Sequence, residues 1–309
     1  MKGLEISKAY YNEIVKPRLE SEHPEVLPFI AVGLSGEGSE CFGFDDEVSK
    51  DHSFGVRIII WLNDDKADEL LEMLKSFYRE LPDEYMGMKL VQTAPYEKCR
   101  SGVFTVSGFF RTLTGFAKAP EDEKAWFNIP EALFANAVNG EVFYDGSGEF
   151  TKRRNEFLSF YPEDVKRFLM AKHAALAAQS GQYNLTRLRL HGESTAAAMT
   201  KTYYVKHLMH LCFLSEGKYM PFYKWAPRAL SELPGVYEIS KTIDELVAEN
   251  DIRAENALAE KAASSVISLL NMRGYTSSPS DYLMDHVGDI LSKIRDDSLK
   301  RRPLDLSDM

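Results

Sequence analysis

Near residue 150 the chain changes character, and that shift constrains the fold more than any single motif. Upstream lie β-branched runs and glycines, and downstream long helical patterns follow one another with Pro or Gly only at their ends. An α/β (α+β) protein is expected, with a small mixed sheet over residues 1–150 and an α-helical bundle domain over 151–309. A length of 309 residues suits about two domains. The hydrophobic share of 44% and the aromatic share of 12% are enough for packed cores.

In the first part, Leu4 to Leu19 has the spacing of a covering helix, closed by Pro17 or by the turn before Pro24. Phe29 to Val32 and Val56 to Leu62 read as strands. Asp64-Asp65 then opens an amphipathic helix over Ala67 to Leu81, with Leu70, Leu71, Leu74 and Phe77 on one face. Lys89 to Gln92 and Val103 to Val106 read as short strands, Ile129 to Ala137 as a helix closing at Asn139-Gly140, and Glu141 to Tyr144 as the last strand. In the second part, Pro162 launches a helix expected to stop near Ser180, ahead of Gly181. A second helix is expected from Asn184 to Gly217, and further helices over Arg228 to Leu233, Ile239 to Ala248, Ala254 to Asn271 and Tyr282 to Ile294.

A formal charge of −10 argues against duplex or tRNA binding, which needs a basic face to displace counterions. A nucleic-acid partner is therefore not expected. The clusters Lys152-Arg153-Arg154 and Lys300-Arg301-Arg302 are short and read as solvated faces. Cys41, Cys99 and Cys212 are too few and too scattered for a disulfide framework or a zinc site, which fits a reducing, cytoplasmic setting. No signal-peptide core and no run of about 18 apolar residues is present, so no membrane span is expected.

The chemistry-bearing segment is Gly33 to Leu62, GLSGEGSECFGFDDEVSKDHSFGVRIIIWL. Gly36 and Gly38 allow close approach of backbone N–H groups and Ser39 adds a hydroxyl, a combination suited to phosphate oxygens. Glu37, Glu40, Asp45, Asp46, Glu47 and Asp51 would repel a bare triphosphate. A phosphate site here therefore needs a divalent cation, Mg²⁺ being the natural candidate. No lysine follows the glycines, which excludes a Walker loop, and no glycine falls where a calcium loop requires one.

The Gly38-Ser39 turn, followed by Asp51-His52-Ser53 just ahead of an apolar strand, resembles the nucleotidyltransferase superfamily of polymerase-β type. GEGSECFGFDDEVSKDH, NGEVFYDGSGEFTKRR, QSGQYNLTR and PFYKW together look like a bacterial family of uncharacterised nucleotidyltransferase-like proteins, over most of the chain. The resemblance implies an N-terminal nucleotidyltransferase fold and transfer of an NMP from an NTP, with ATP the expected donor, to an acceptor hydroxyl. A small-molecule acceptor is favoured over a protein. It implies Gly38 and Ser39 as the nucleotide cradle and Asp51 and Ser53 at the metal positions; Asp46, a loop acid five residues before Asp51, has the reach to serve as a substitute metal ligand. Ser53 stands where a second carboxylate is usual, and no acid occurs in Met88 to Thr93 or Val103 to Phe110 to act as a third.

Similarity to antibiotic nucleotidyltransferases suggests Glu193, on the helical domain, as the acceptor's general base, although pairing with Arg189 four residues earlier is the simpler role. Lys201 and Lys224 are candidate phosphate contacts, the latter beside Tyr223 and Trp225. The active site is expected in the cleft between the two domains. His207 and His210, three apart with no accompanying acid, read as helix packing, and Asp145 as a turn residue. The alternative is a non-catalytic protein of the same fold that retains the cradle and binds or senses a nucleotide.

Overall fold

A computed structural model describes residues 1–48, 55–91 and 99–307, which divide into two compact units, Met1–Phe160 and Tyr161–Met309. In the first unit, α1 (Gly3–Tyr10) runs through a π-helical stretch, Tyr11–Val15, into α2 (Lys16–Glu22). Pro17 sits at the start of α2, where its missing N–H is tolerated, so the helix ends at His23 instead. β1 (Ile30–Leu34), β2 (Ile59–Leu62), α3 (Ala67–Arg79), the small hairpin β3 (Glu84–Tyr85) and β4 (Met88–Lys89), β5 (Gly102–Thr105), α4 (Val106–Thr114), α5 (Glu131–Val138), β6 (Glu141–Asp145) and α6 (Glu149–Leu158) follow.

The sheet is mixed, in the order β5-β2-β1-β6. β1 is antiparallel to β2 and β6, and β2 is parallel to β5. Both central strands are buried along their whole length, which is why IAVGL and IIWL read as unbroken apolar runs rather than alternating ones. On one face, Ile30, Val32, Ile58, Ile60 and Leu62 pack with Ile6, Tyr10, Val15, Leu74 and Phe77 of α1 to α3. On the other, Trp61 stacks on Phe150 with ring centroids 3.7 Å apart and meets Phe109 edge-on, while Phe110 stacks on Phe157. Phe150 and Phe157 belong to α6, so the composition shift near residue 150 falls inside a helix that completes this core. Gly33 lies at a bulge between β1 and β6, where a Cβ would meet the Glu141 carbonyl at 2.4 Å.

Val106 begins a helix rather than ending a strand. The Thr105 hydroxyl caps it by accepting from the Gly108 N–H, and Phe109, Phe110 and Leu113 form its buried face.

Among its described residues the second unit has helices and their connections and no strand. α7 (Glu163–Ala177) continues through a π-helical stretch, Ala178–Leu185, into α8 (Thr186–Leu190), so Gly181 is not a stop and Asn184 not a start. Gly181 is small for a packing reason: a Cβ there would lie 2.3 Å from the Tyr204 ring. The chain breaks instead at His191-Gly192, where Gly192 has a φ of +76°. α9 (Ser194–Ser215) then runs through the middle of the unit, followed by α10 (Ala226–Ser231), α11 (Tyr237–Ala248), α12 (Ile252–Met272), α13 (Met284–Ser292) and α14 (Asp297–Lys300). α7 packs along α9 and α13, and α11 along α12. The Tyr204 hydroxyl donates to the Ala259 carbonyl at 2.7 Å, tying α9 to α12.

Asp251 caps α12 by accepting from the N–H groups of Arg253 and Ala254 at 3.0 and 2.9 Å. Asp251→Ala should lower the stability of this unit by about 1 kcal/mol, measured by urea denaturation. No loss would mean that the cap is not stabilising. No described helix is long and apolar enough to cross a membrane.

Candidate nucleotide site

The Gly-rich turn leaves the end of β1 and is pinned from two sides. Gly36 and Gly38 have φ values of +108° and +128°, a region that L side chains rarely adopt. From α5's C-terminal turn, the Asn139 carboxamide makes both possible bonds to Gly36: Oδ1 accepts from its N–H and Nδ2 donates to its carbonyl, each at 2.8 Å. The Ser35 hydroxyl also donates to Asn139 Oδ1, at 3.2 Å. Gly140, with a φ of +69°, lets this turn approach β1 so closely that a Cβ would sit 1.9 Å from the Leu34 carbonyl.

Beneath the turn lies Arg57, fully buried. Its Nη1 donates to the Glu37 carbonyl at 2.7 Å and pairs with the Glu40 carboxylate, while Nε and Nη2 donate to the Arg100 carbonyl at 2.9 and 2.7 Å. A Cβ on Gly38 would lie 2.5 Å from Arg57 Nη1. Glu40 Oε2 would be equally near, so Gly38 leaves room for this ion pair in addition to providing the positive φ of the turn. Ser39 opens a short 3₁₀ turn, Ser39–Phe42, whose Cys41 N–H donates to the Gly38 carbonyl.

Two of the loop acids have structural work. Glu40 neutralises Arg57, and Asp45, buried, accepts from the Gly3 N–H at the start of α1 at 2.8 Å. Asp46 and Glu47 are exposed. Asp51 and Ser53 lie outside the described residues, as does His52. Among the described residues no group of three or more His, Cys, Asp or Glu is arranged to hold a metal ion. The first unit carries 18 Lys and Arg against 28 Asp and Glu, which accounts for the whole net charge of −10 and leaves the helical unit neutral. An anionic ligand at this turn would still need a cation beside it.

In the helical unit, Glu193 is exposed at the head of α9, and Arg189 does not pair with it. Arg189 instead donates twice to Glu255, at 2.9 and 2.8 Å. Lys201 is buried against the same carboxylate, with Nζ 2.6 Å from Glu255 Oε1, and also donates to the Leu246 and Glu249 carbonyls. Burial pushes the Glu255 carboxyl up, but its bonds to Arg189 and Lys201 outweigh this and hold it below the ordinary range. Lys224 is exposed, with its ammonium 4.6 Å from the centre of the Trp225 ring, and Tyr223 is 72% exposed. His207 and His210 do pack between helices, and His173 of α7 joins them: its Nδ1 is 3.0 Å from that of His207, and its ring stacks on His210 at 4.1 Å. Asp145 caps α6, accepting from the N–H groups of Gly148 and Thr151, both at 2.8 Å.

Sequence reasoning did not single out Arg57 or Asn139. The signal for Arg57 was available, since a lone cation inside the apolar run VRIIIWL must find a buried counter-ion. Asn139 gave none beyond a helix-closing Asn-Gly pair.

Residues 126–226 match the family described as a domain of unknown function, DUF4037. Among solved structures, a nucleotidyltransferase-like protein from Exiguobacterium sibiricum 255-15 is similar at 12% identity and a TM-score of 0.34, over 92% of this chain and 88% of that one. No curated protein matches.

Proposed function

We propose that the protein is a Mg²⁺-dependent nucleotidyltransferase that moves an NMP from an NTP, ATP being the expected donor, to the hydroxyl of a small-molecule acceptor. The observation that carries this reading is the Gly36–Ser39 turn, built at the end of a buried strand and held open by Asn139 and Arg57. An acidic segment and Asp51 follow it in the chain. Gly38 and Ser39 receive the β and γ phosphates. Asp51 and exposed Asp46 would hold Mg²⁺, which when bound offsets the charge shared by carboxylates and phosphates. The acceptor oxygen attacks the α-phosphorus in line, the bond from that phosphorus to the β-phosphate bridging oxygen breaks, and pyrophosphate leaves. The hydroxyl proton passes to a general base, for which exposed Glu193 is the candidate that the sequence offers. Within the helical unit Lys201 is committed to Glu255 and two carbonyls, whereas Lys224 is exposed beside Tyr223 and Trp225.

Asp51→Ala should abolish pyrophosphate release from MgATP in the presence of cell-extract acceptors. Release that continues unchanged would remove Asp51 from the metal site. Ser53→Asp should tighten Mg²⁺ binding by calorimetry.

A second reading follows from Ser53 in place of a carboxylate and from the sequestered Lys201: a nucleotide-binding protein without turnover. Thermal stabilisation by MgATP with no pyrophosphate would favour it.

A further inference from the structure

We propose that Arg57 and Asn139 are positioning residues that hold the Gly36–Ser39 turn in its polyphosphate-binding conformation before any ligand arrives, an inference that rests on the nucleotide reading above. A turn containing two glycines gains more conformational freedom when released than the same turn built of other residues, so binding would otherwise have to order it. Asn139 removes that freedom at Gly36 by bonding both its N–H and its carbonyl, as a neighbouring strand would. Arg57 does the same at the far end by bonding the Glu37 carbonyl and the Glu40 carboxylate.

Arg57 is not placed to be a ligand contact, and Asn139 turns its carbonyl oxygen and one N–H to Gly36. Arg57 is fully buried with its donors committed to Glu37, Glu40 and Arg100. Their contribution is rigidity. The Gly36 carbonyl and N–H face the carboxamide, so the remaining face of the turn is fixed relative to β1 and the sheet.

The test uses the full chain and two readouts. Amide exchange of the unliganded protein is measured at Gly36, Cys41 and Phe44, whose N–H groups donate to Asn139 Oδ1, Gly38 O and Ser39 O. These should be protected in the wild type. In Asn139→Ala they should exchange at least about tenfold faster, with β1 and β2 unchanged. MgATP affinity by calorimetry should weaken about tenfold in Asn139→Ala, at a temperature where the variant is fully folded. Asn139→Asp, which keeps an acceptor for the Gly36 N–H but turns a carboxylate oxygen toward the Gly36 carbonyl, should restore neither readout. Unprotected turn amides in the wild type, or Asn139→Ala changing neither readout, would overturn the proposal. Protected amides in a wild type that binds no MgNTP would support the clamp and overturn the nucleotide reading alone.

Discussion

Glu255→Ala is expected to destabilise the helical unit by about 3–5 kcal/mol, because it strands two cations that share one buried carboxylate. Glu255 is 1% exposed and receives Arg189 twice and Lys201 once. Those three residues come from α12, α8 and α9, and Lys201 also caps the carbonyls at the end of α11. Without the carboxylate, Lys201 keeps its two carbonyl partners but loses its counter-ion, and Arg189 is left beside it with the same charge. Urea unfolding followed by far-ultraviolet circular dichroism would measure the loss. Adding Lys201→Met to the variant should recover a substantial part of the stability, since a buried ion pair is worth far less than the penalty for breaking one side of it. A loss under about 1 kcal/mol for Glu255→Ala would show that water reaches the site and that the trio is a surface network.

Acid should weaken the same unit through His173. Burial, followed by the neighbouring His210, His207, Lys172 and Lys206, holds the His173 imidazole well below its usual pKa, so it stays neutral in the fold. Once unfolded, it takes up a proton near pH 6.5. The unfolded state therefore binds one more proton than the native state below that pH, and stability falls with each further drop. The slope is at most about 1.4 kcal/mol per pH unit for one proton. Above pH 7 the effect is absent. Thermal melts across pH 5 to 8 should show this trend, and His173→Phe should flatten it. An equally steep slope in the variant would assign the acid response to other groups.

Local signals in the sequence were enough where an element depends on its own residues. The helix from Ala67 could be read from the spacing of Leu70, Leu74 and Phe77, and the strands around Val32 and Ile60 from unbroken apolar runs. Local reading failed where a distant residue decides. Gly181 reads as a stop, yet it is small because Tyr204 lies on it, and the helix passes through in π-helical form. Arg189 has Glu193 at helical spacing, yet a glycine turn intervenes and Glu255 takes the pair. Val106 to Phe110 carries strand formers, but the Thr105 cap and the aromatic face offered to Trp61 make it helical. At the candidate site, the excess of acids was legible, whereas the commitment of Glu40 to Arg57 and of Asp45 to Gly3 depends on tertiary contacts that composition does not encode.

Cys41 behind the Gly-rich turn and Cys212 in α9 are both buried, and burial pushes each thiol up to about 12. Thiolate chemistry is therefore suppressed at both positions while the fold is closed. Each unit carries its own internal clock: the pace at which a maleimide or disulfide reagent captures Cys41, told apart from the buried Cys99 of the same unit by peptide mapping, counts openings of the sheet unit, and the pace for Cys212 counts openings of the helices. Loosening confined to one half of the polypeptide can thus be timed without attaching any label beforehand.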